Sequence, residues 1–380
     1  MKVIIAPDSF KGSLSAPDVA NSINKGVKKA YAGIKTVLLP VADGGEGTLE
    51  TLISATNGKT VETPVIGPMG DEINASYGIL GDGKTCIIEM ATASGFMLVS
   101  ENKLSPLQAT TFGTGQLIKK ALDDGFSSFI ITLGGSATND GGVGMLQALG
   151  MKILDAKGRF LSYGGGYLNE IDAIDVRTFD KRIKKSKFVI ASDVQNPLTG
   201  LNGASHIFGP QKGASSEDIK LLDDNLSYWA DKVAELTGIY LHNLPGAGAA
   251  GGLGGALKAF FSAEIKRGID VVLDYIKLND HLLHADLVIT GEGCVDHQTN
   301  SGKTPLGVAQ AAKKENVPTI ILTGTIGNEI EKLYDYGVVS VNSIIDKPMS
   351  LNESMSKTSQ LLERSAEQIT RSYFYNCMRI

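Results

Sequence analysis

The sequence predicts a two-domain α/β protein. A parallel sheet with helices on both faces is expected to be built from both chain ends, around an inserted mixed α/β domain. Three observations carry that reading. Strand, loop and helix alternate near the N-terminus and again near the C-terminus, the pattern of parallel pairing. The middle carries a hairpin signal, which calls for antiparallel pairing. At 380 residues the chain exceeds one ordinary domain. The expected division is residues 1–75 plus 285–380 for the first domain and 76–284 for the insertion, with the active site in the cleft between them.

Taken in order, Val3 to Ala6 form a short apolar strand, followed by a polar loop from Pro7 to Ser15. A helix follows with Ser15 as N-cap, Asp18 in the capping-box position, and Val19, Ile23, Val27 and Ala30 on one face. Thr36 to Leu39 is the second strand, and the helix after it is expected to close on Gly58 as its C′ glycine. Strand-like runs at Asn74–Leu80 and Thr85–Met90 flank Gly81-Asp82-Gly83, the hairpin signal. Ser105-Pro106 is expected to start a helix. Buried strands are expected at Phe129–Leu133 and Phe188–Ala191, and a helix from Glu217 to Leu236. Strands at Leu287–Thr290, Thr319–Thr323 and Val338–Val341 then alternate with helices, and a last helix starts near Ser350.

Composition narrows the function classes. Net charge is −5 with no long basic run, so the electrostatic footprint of nucleic-acid binding is missing. No uncharged run is long enough to span a membrane. The three cysteines, Cys86, Cys294 and Cys377, are scattered and fit neither a disulfide framework nor a zinc pattern, which points to the reducing cytoplasm. Glycine is in excess at 45 residues against about 27 at average usage. Such an excess fits tight turns and loops whose backbone approaches a ligand.

Five segments share one design, an apolar strand running into glycine and small residues mixed with acids or a lysine. They are Asp8-Ser9-Phe10-Lys11-Gly12, Asp43-Gly44-Gly45-Glu46-Gly47, Gly134 to Gly142, Asp193-Val194-Gln195-Asn196-Pro197 and Gly291-Glu292-Gly293-Cys294-Val295-Asp296. In open α/β sheets such loops converge at the carboxyl ends of the strands, where ligands bind. Lys11-Gly12, Lys212-Gly213 and Gly302-Lys303-Thr304 add ammonium groups in loops. Carboxylates that hold Mg2+, lysines and loop amides that neutralise phosphate oxygens, and one acid to take a hydroxyl proton make up the equipment of phosphoryl transfer.

Several lookalikes carry less. Gly302-Lys303-Thr304 resembles the end of a Walker A loop, but His297 stands where that loop needs glycine. Gly246 to Gly251 spells a dinucleotide fingerprint without a strand before it; the small residues Ala249 to Ala256 are expected instead to let a helix pack closely or to offer its N-terminus to an anion. His281 and His284 lack a third metal ligand, Cys294 lacks a paired base, and no nucleophile elbow is present.

As a set, the segments resemble the type 1 glycerate kinase family. The resemblance rests on Pro7 to Ala16, Ala42 to Thr48, Leu133 to Gly142, Ser192 to Leu198, Phe208 to Ala214, Pro245 to Gly252 and Thr290 to Gly293, with Asp296, Gln298-Thr299 and Gly302 to Pro305 behind them. It runs in order from residue 2 to about 340. The resemblance implies ATP-dependent phosphorylation of D-glycerate with Mg2+, giving 2-phosphoglycerate, and a flavodoxin-like sheet in one domain. 3-Phosphoglycerate as product, or a related small hydroxy acid as substrate, is the alternative.

Residue chemistry then suggests roles. Asp193 is the first candidate for general base, with Asp8 second and Lys11 beside it. Asp43, Glu46, Glu292 and Asp296 are candidates for Mg2+. Lys11, Lys212 and Lys303 are expected to neutralise phosphate or carboxylate, together with Ser9, Gly134, Gly135, Ser136, Thr138, Asn139 and Asn196. The loop opening a helix at Val143 is expected to offer backbone N–H groups to an anion. Two rivals from other classes, a nicotinamide-dependent oxidoreductase and a non-enzymatic sugar-acid sensor, predict hydride transfer and weak or absent ATP binding respectively. Oligomeric state is left open by the sequence.

Overall fold

A computed structural model describes residues 1–296 and 304–378. Its strands, in chain order, are β1 (Lys2–Ile5), β2 (Lys35–Leu38), β3 (Lys59–Ile66), β4 (Glu72–Ile79), β5 (Thr85–Glu89), β6 (Ser128–Thr132), β7 (Lys152–Leu154), β8 (Ala173–Asp175), β9 (Lys187–Ala191), β10 (Glu264–Lys266), β11 (Leu287–Val295), β12 (Thr319–Ile326) and β13 (Val338–Ser343). The chain forms two compact units. The first comprises Met1–Asp43, Glu50–Asn57 and Ile269–Ile380; the second comprises Gly44–Leu49 and Gly58–Gly268.

The first unit is a five-stranded sheet in the order β13-β12-β11-β1-β2, parallel throughout. Numbered within the unit, this is the 2-1-3-4-5 order of a flavodoxin-like sheet, with its switch point between β1 and β11. Both faces are covered, as a parallel sheet requires. Val3, Ile5, Leu287, Ile289, Ile320 and Leu322 meet Val19, Ile23 and Val27 of the helix Ala16–Ala30 and Leu361, Leu362 and Ala366 of the helix Thr358–Tyr373. On the other face Val295, Ile321 and Val338 pack with Leu306 and Ala309 of the helix Thr304–Lys314. The two helices of the first face lie so close that a Cβ on Gly26 would stand 2.1 Å from the Glu363 carbonyl oxygen.

The second unit has a mixed sheet in the order β10-β9-β6-β5-β4-β3 and a small hairpin, β7-β8. β5, β6, β9 and β10 run parallel, whereas β4 and β3 are antiparallel additions at one edge. The expected turn joins β4 to β5. There the Asp82 carboxylate accepts the backbone N–H groups of Lys84 and Thr85 and the Thr85 hydroxyl. One large core, including Phe129, Phe188, Trp229 and Leu253, fills this unit.

Several expectations shift. The units part at Gly58 rather than at residue 75, because β3 pairs with β4 along its whole length instead of joining the first sheet, and at Ile269 rather than at residue 285. Pro64 sits in β3 without penalty, since β3 is an edge strand. Asn57, with φ 55°, takes the left-handed position after the helix Thr48–Thr56 that had been expected of Gly58. Ser105-Pro106 opens a turn, and the helix starts only at Phe112. Gly291 to Val295 is not a loop but the continuation of β11, paired with β12. The absent side chain at Gly291 permits it, for a Cβ there would stand 2.1 Å from the Leu322 carbonyl oxygen. Among the described residues no helix is long and apolar enough to cross a membrane.

Candidate active site

In the first unit the switch point holds a cavity of about 660 Å³. Asp8, Ser9, Phe10, Lys11 and Ser13 line it from the loop after β1, Asp43 from beyond β2, and Glu292, Gly293 and Cys294 from the extended end of β11. Ile344, Ile345, Met349, Leu351 and Met355, residues that follow β13, add an apolar part of the lining. The position is the one that the strand order dictates, because loops on either side of a switch point open a crevice at the carboxyl ends of the strands.

Asp8 is the buried acid of this lining. It is 8 % exposed, and its backbone N–H donates to the Gly291 carbonyl, which places the start of the loop against β11. One carboxylate oxygen accepts the Ser9 N–H at 2.6 Å and the other accepts the Thr304 hydroxyl at 2.6 Å. Burial, followed by the neighbouring Asp43 carboxylate, pushes its pKa up to about 6, against the pull of the two hydrogen bonds and of Lys11. Lys11 reaches within 3.9 Å of Asp43, and its own side chain is 75 % exposed at the mouth of the cavity. The Ser13 hydroxyl lies 2.7 Å from both the Met355 carbonyl, to which it donates, and the Thr358 hydroxyl. The loop after β1 is thus tied to the C-terminal helical segment.

The second unit holds Asp193, Asn196, Lys212 and the Gly134–Gly142 loop. Asp193 follows β9 and is exposed; its carboxylate accepts the Gly268 N–H at 3.0 Å. Asn196 donates its amide to the Asn202 carbonyl. The Gly134–Gly142 loop is pinned from inside. The Asp140 carboxylate accepts the N–H groups of Thr111, Gly142 and Gly144 and the Thr111 hydroxyl, and burial nonetheless holds its pKa above the usual carboxylate range. This overturns one expectation. The start of the short helix Val143–Ala148 is not open to an outside anion, because the chain's own Asp140 occupies it. Lys212 differs in the same way. It is 1 % exposed and donates to the Thr138 carbonyl at 2.6 Å, and burial lowers its pKa to about 7, partly countered by Asp140.

Gly134 and Gly135 are half-buried, while Ser136, Thr138 and Asn139 are buried; the Asn139 amide donates to Ser205. The Gly246–Gly252 segment packs against this loop: a Cβ on Gly251 would stand 2.0 Å from the Thr138 carbonyl oxygen. Close packing, rather than dinucleotide binding, explains those glycines.

The four acids assigned to Mg2+ do not form one ligand set. Among the described residues no three His, Cys, Asp or Glu side chains are grouped to hold an ion. Asp296 lies four residues beyond Glu292, about 13 Å away at strand spacing. Asp43 and Glu292, with Asp8, do line one cavity, which suits Mg2+ held by one or two carboxylates and completed by phosphate oxygens and water. Lys303 lies outside the described residues.

Two functional candidates escaped the sequence reading. Glu89, at the end of β5 and 4 % exposed, accepts the N–H groups of Gly47 and Leu49 and so fixes the Asp43–Gly47 turn from its far side. Its signal was an acid closing the buried run Cys86-Ile87-Ile88. Thr304 was read with Gly302 and Lys303, in a Walker lookalike and in the family resemblance, and not as a partner of Asp8.

Comparison with known proteins follows the same lines. The family model described as the glycerate kinase family matches residues 3–374. Glycerate kinase of Bacillus subtilis (strain 168) is 48% identical over 372 residues, 98% of this chain and 97% of that protein. Glycerate 2-kinase of Escherichia coli (strain K12) is 49% identical over 354 residues, 93% of each chain. The crystal structure of a candidate glycerate kinase 2 from Salmonella typhimurium LT2 superposes with a TM-score of 0.89 at 44% identity, covering 99% of both chains.

Proposed function

This chain belongs to the glycerate kinase family, and on that premise we propose that it transfers the γ-phosphoryl group of ATP to D-glycerate, giving 2-phosphoglycerate. The observation that carries the reading is likeness along nearly the whole chain to enzymes that include a glycerate 2-kinase. The acid-lined cavity at the switch point supports it chemically.

Asp8 now takes precedence over Asp193 as the group that accepts the proton of the substrate hydroxyl. A base works best with a pKa near the working pH, and burial with Asp43 brings Asp8 up to about 6. The Ser9 N–H and the Thr304 hydroxyl fix the carboxylate in orientation. Lys11, exposed at the cavity mouth, supplies a mobile positive charge for phosphate oxygens. Asp193 remains the alternative base. Mg2+, held through carboxylates such as Asp43 and Glu292, would neutralise charge on the phosphates. With ATP and a small hydroxy acid as substrates, the reading places the protein in the cytoplasm.

The test is ADP release from ATP and Mg2+ on adding D-glycerate, with L-glycerate, glycerol and lactate as controls. Phosphorus NMR of the product distinguishes 2- from 3-phosphoglycerate. Absence of ADP under all these conditions would overturn the kinase reading.

A further inference from the structure

We propose that the switch-point cavity of the first unit is the nucleotide subsite, with the purine on the wall formed by Ile345, Met349 and Met355 and the phosphates toward Asp8 and Lys11. The proposal rests on the kinase reading for the choice of ligand; its location is argued from the cavity alone.

Size is the first argument. About 660 Å³ is far more than a three-carbon acid fills, and it falls within the range of roughly 300–1,000 Å³ in which larger organic ligands are enclosed. Charge is the second. Among the described residues that line it, three are carboxylates, Asp8, Asp43 and Glu292, and one is a lysine, Lys11. A bare carboxylate such as glycerate would meet repulsion here, whereas a nucleotide that arrives with a divalent cation brings the charge these acids favour. The third is the division of the lining. The acids come from the loops after β1 and β2 and from the extended end of β11, while Ile344, Ile345, Met349, Leu351 and Met355 supply aliphatic and thioether surface. Two methionines suit a flat aromatic ring, because a thioether is polarizable and adapts to a ring face or edge.

The two walls are also held together. Ser13 bonds both the Met355 carbonyl and Thr358, and Gly12, at φ 75°, brings its backbone to the Met355 methyl, where a Cβ would stand 3.1 Å away. The cavity is therefore largely preformed, which limits the ordering that binding requires. Within the second unit, the cation and helix start best suited to phosphate are already taken up by Thr138 and Asp140.

The full-length protein, irradiated with 8-azidoadenosine triphosphate and Mg2+, should carry the label on a peptide within residues 344–358, and excess ADP should suppress it. Ile345→Glu, at a side chain already 36% exposed, should raise KM for ATP by about tenfold or more while KM for D-glycerate moves less than about twofold. Labelling confined to peptides of the second unit, with Ile345→Glu leaving KM for ATP unchanged in an active enzyme, would overturn the subsite and leave the kinase reading standing. Labelling within 344–358 by a protein that releases no ADP with D-glycerate would support the subsite and overturn the glycerate kinase reading instead. The labelling uses the unaltered chain, so it decides the matter even if the variant fails to fold.

Discussion

Thr304 donates its hydroxyl to a carboxylate oxygen of Asp8 across 296 residues of sequence, at 2.6 Å and with both residues buried. This bond favours the ionised carboxylate against burial and against Asp43, both of which favour the proton. Thr304→Val removes the donor and leaves the volume nearly unchanged. Asp8 should then titrate above about 6, and the acid limb of kcat/KM should move to higher pH, with Thr304→Ser restoring it. A pH profile that does not move in Thr304→Val would remove Asp8 from the chemistry.

Asp8→Asn should lower kcat by a factor of about 10²–10⁴. It should also stabilise the protein at pH 8. Folding raises the Asp8 pKa, so the ionised group destabilises the native state above pH 6, and this effect fades as pH falls toward 4. Thermal melts at pH 8 and pH 4 check it: the variant should melt higher than wild type at pH 8, with the difference shrinking at pH 4. Asp193→Asn keeps an oxygen that can accept from Gly268, and its kcat should fall less than that of Asp8→Asn. The reverse ranking would return the role of base to Asp193.

Lys212 predicts a pH dependence of its own. Between about pH 7 and pH 10.5 the unfolded chain keeps a proton on this amine that the folded chain has released. Stability therefore rises with pH through that window and carries the full penalty of the buried charge below it. In Lys212→Met this contribution is gone. The Tm difference, wild type minus variant, should grow from pH 7 to pH 9; a constant difference would mean that the ammonium stays charged.

Gly26→Ala inverts a general rule. Alanine normally stabilises a helix interior by up to about 1 kcal/mol relative to glycine. Here its methyl would enter the backbone of the helix Thr358–Tyr373, 2.1 Å from the Glu363 oxygen. A loss of about 1–3 kcal/mol is expected by denaturant unfolding. Lys11→Met should raise KM for ATP, and an unchanged KM would reduce Lys11 to surface charge.

The central strands of the first unit were legible because they are buried on both faces and read as apolar runs, as in Val3-Ile4-Ile5 and Leu287-Val288-Ile289. β3 was not, since Lys59, Thr60, Glu62 and Pro64 give an exposed edge strand little apolar signal. The acids and lysines of the site could be named from their loops. Their states could not, because these depend on burial and on distant partners: Lys212 reads as a phosphate ligand until Thr138 closes over it, and Asp8 reads as an ordinary acid until Thr304 and Asp43 surround it.

The central strand of the first sheet also sets a schedule for synthesis. β1 pairs on one side with β2, made almost at once, and on the other with β11, where Thr290 bonds Ala6 across 284 residues. At about 5–20 residues per second, that second edge waits roughly 15–60 s on the ribosome. The second unit, contiguous from Gly58 to Gly268 apart from one short segment already made, has emerged in the meantime. Nascent chains of this protein thus carry an apolar strand with one edge still unpaired while the second unit emerges. That interval is when a holding chaperone matters most, and a stall before residue 287 leaves an edge open to aggregation.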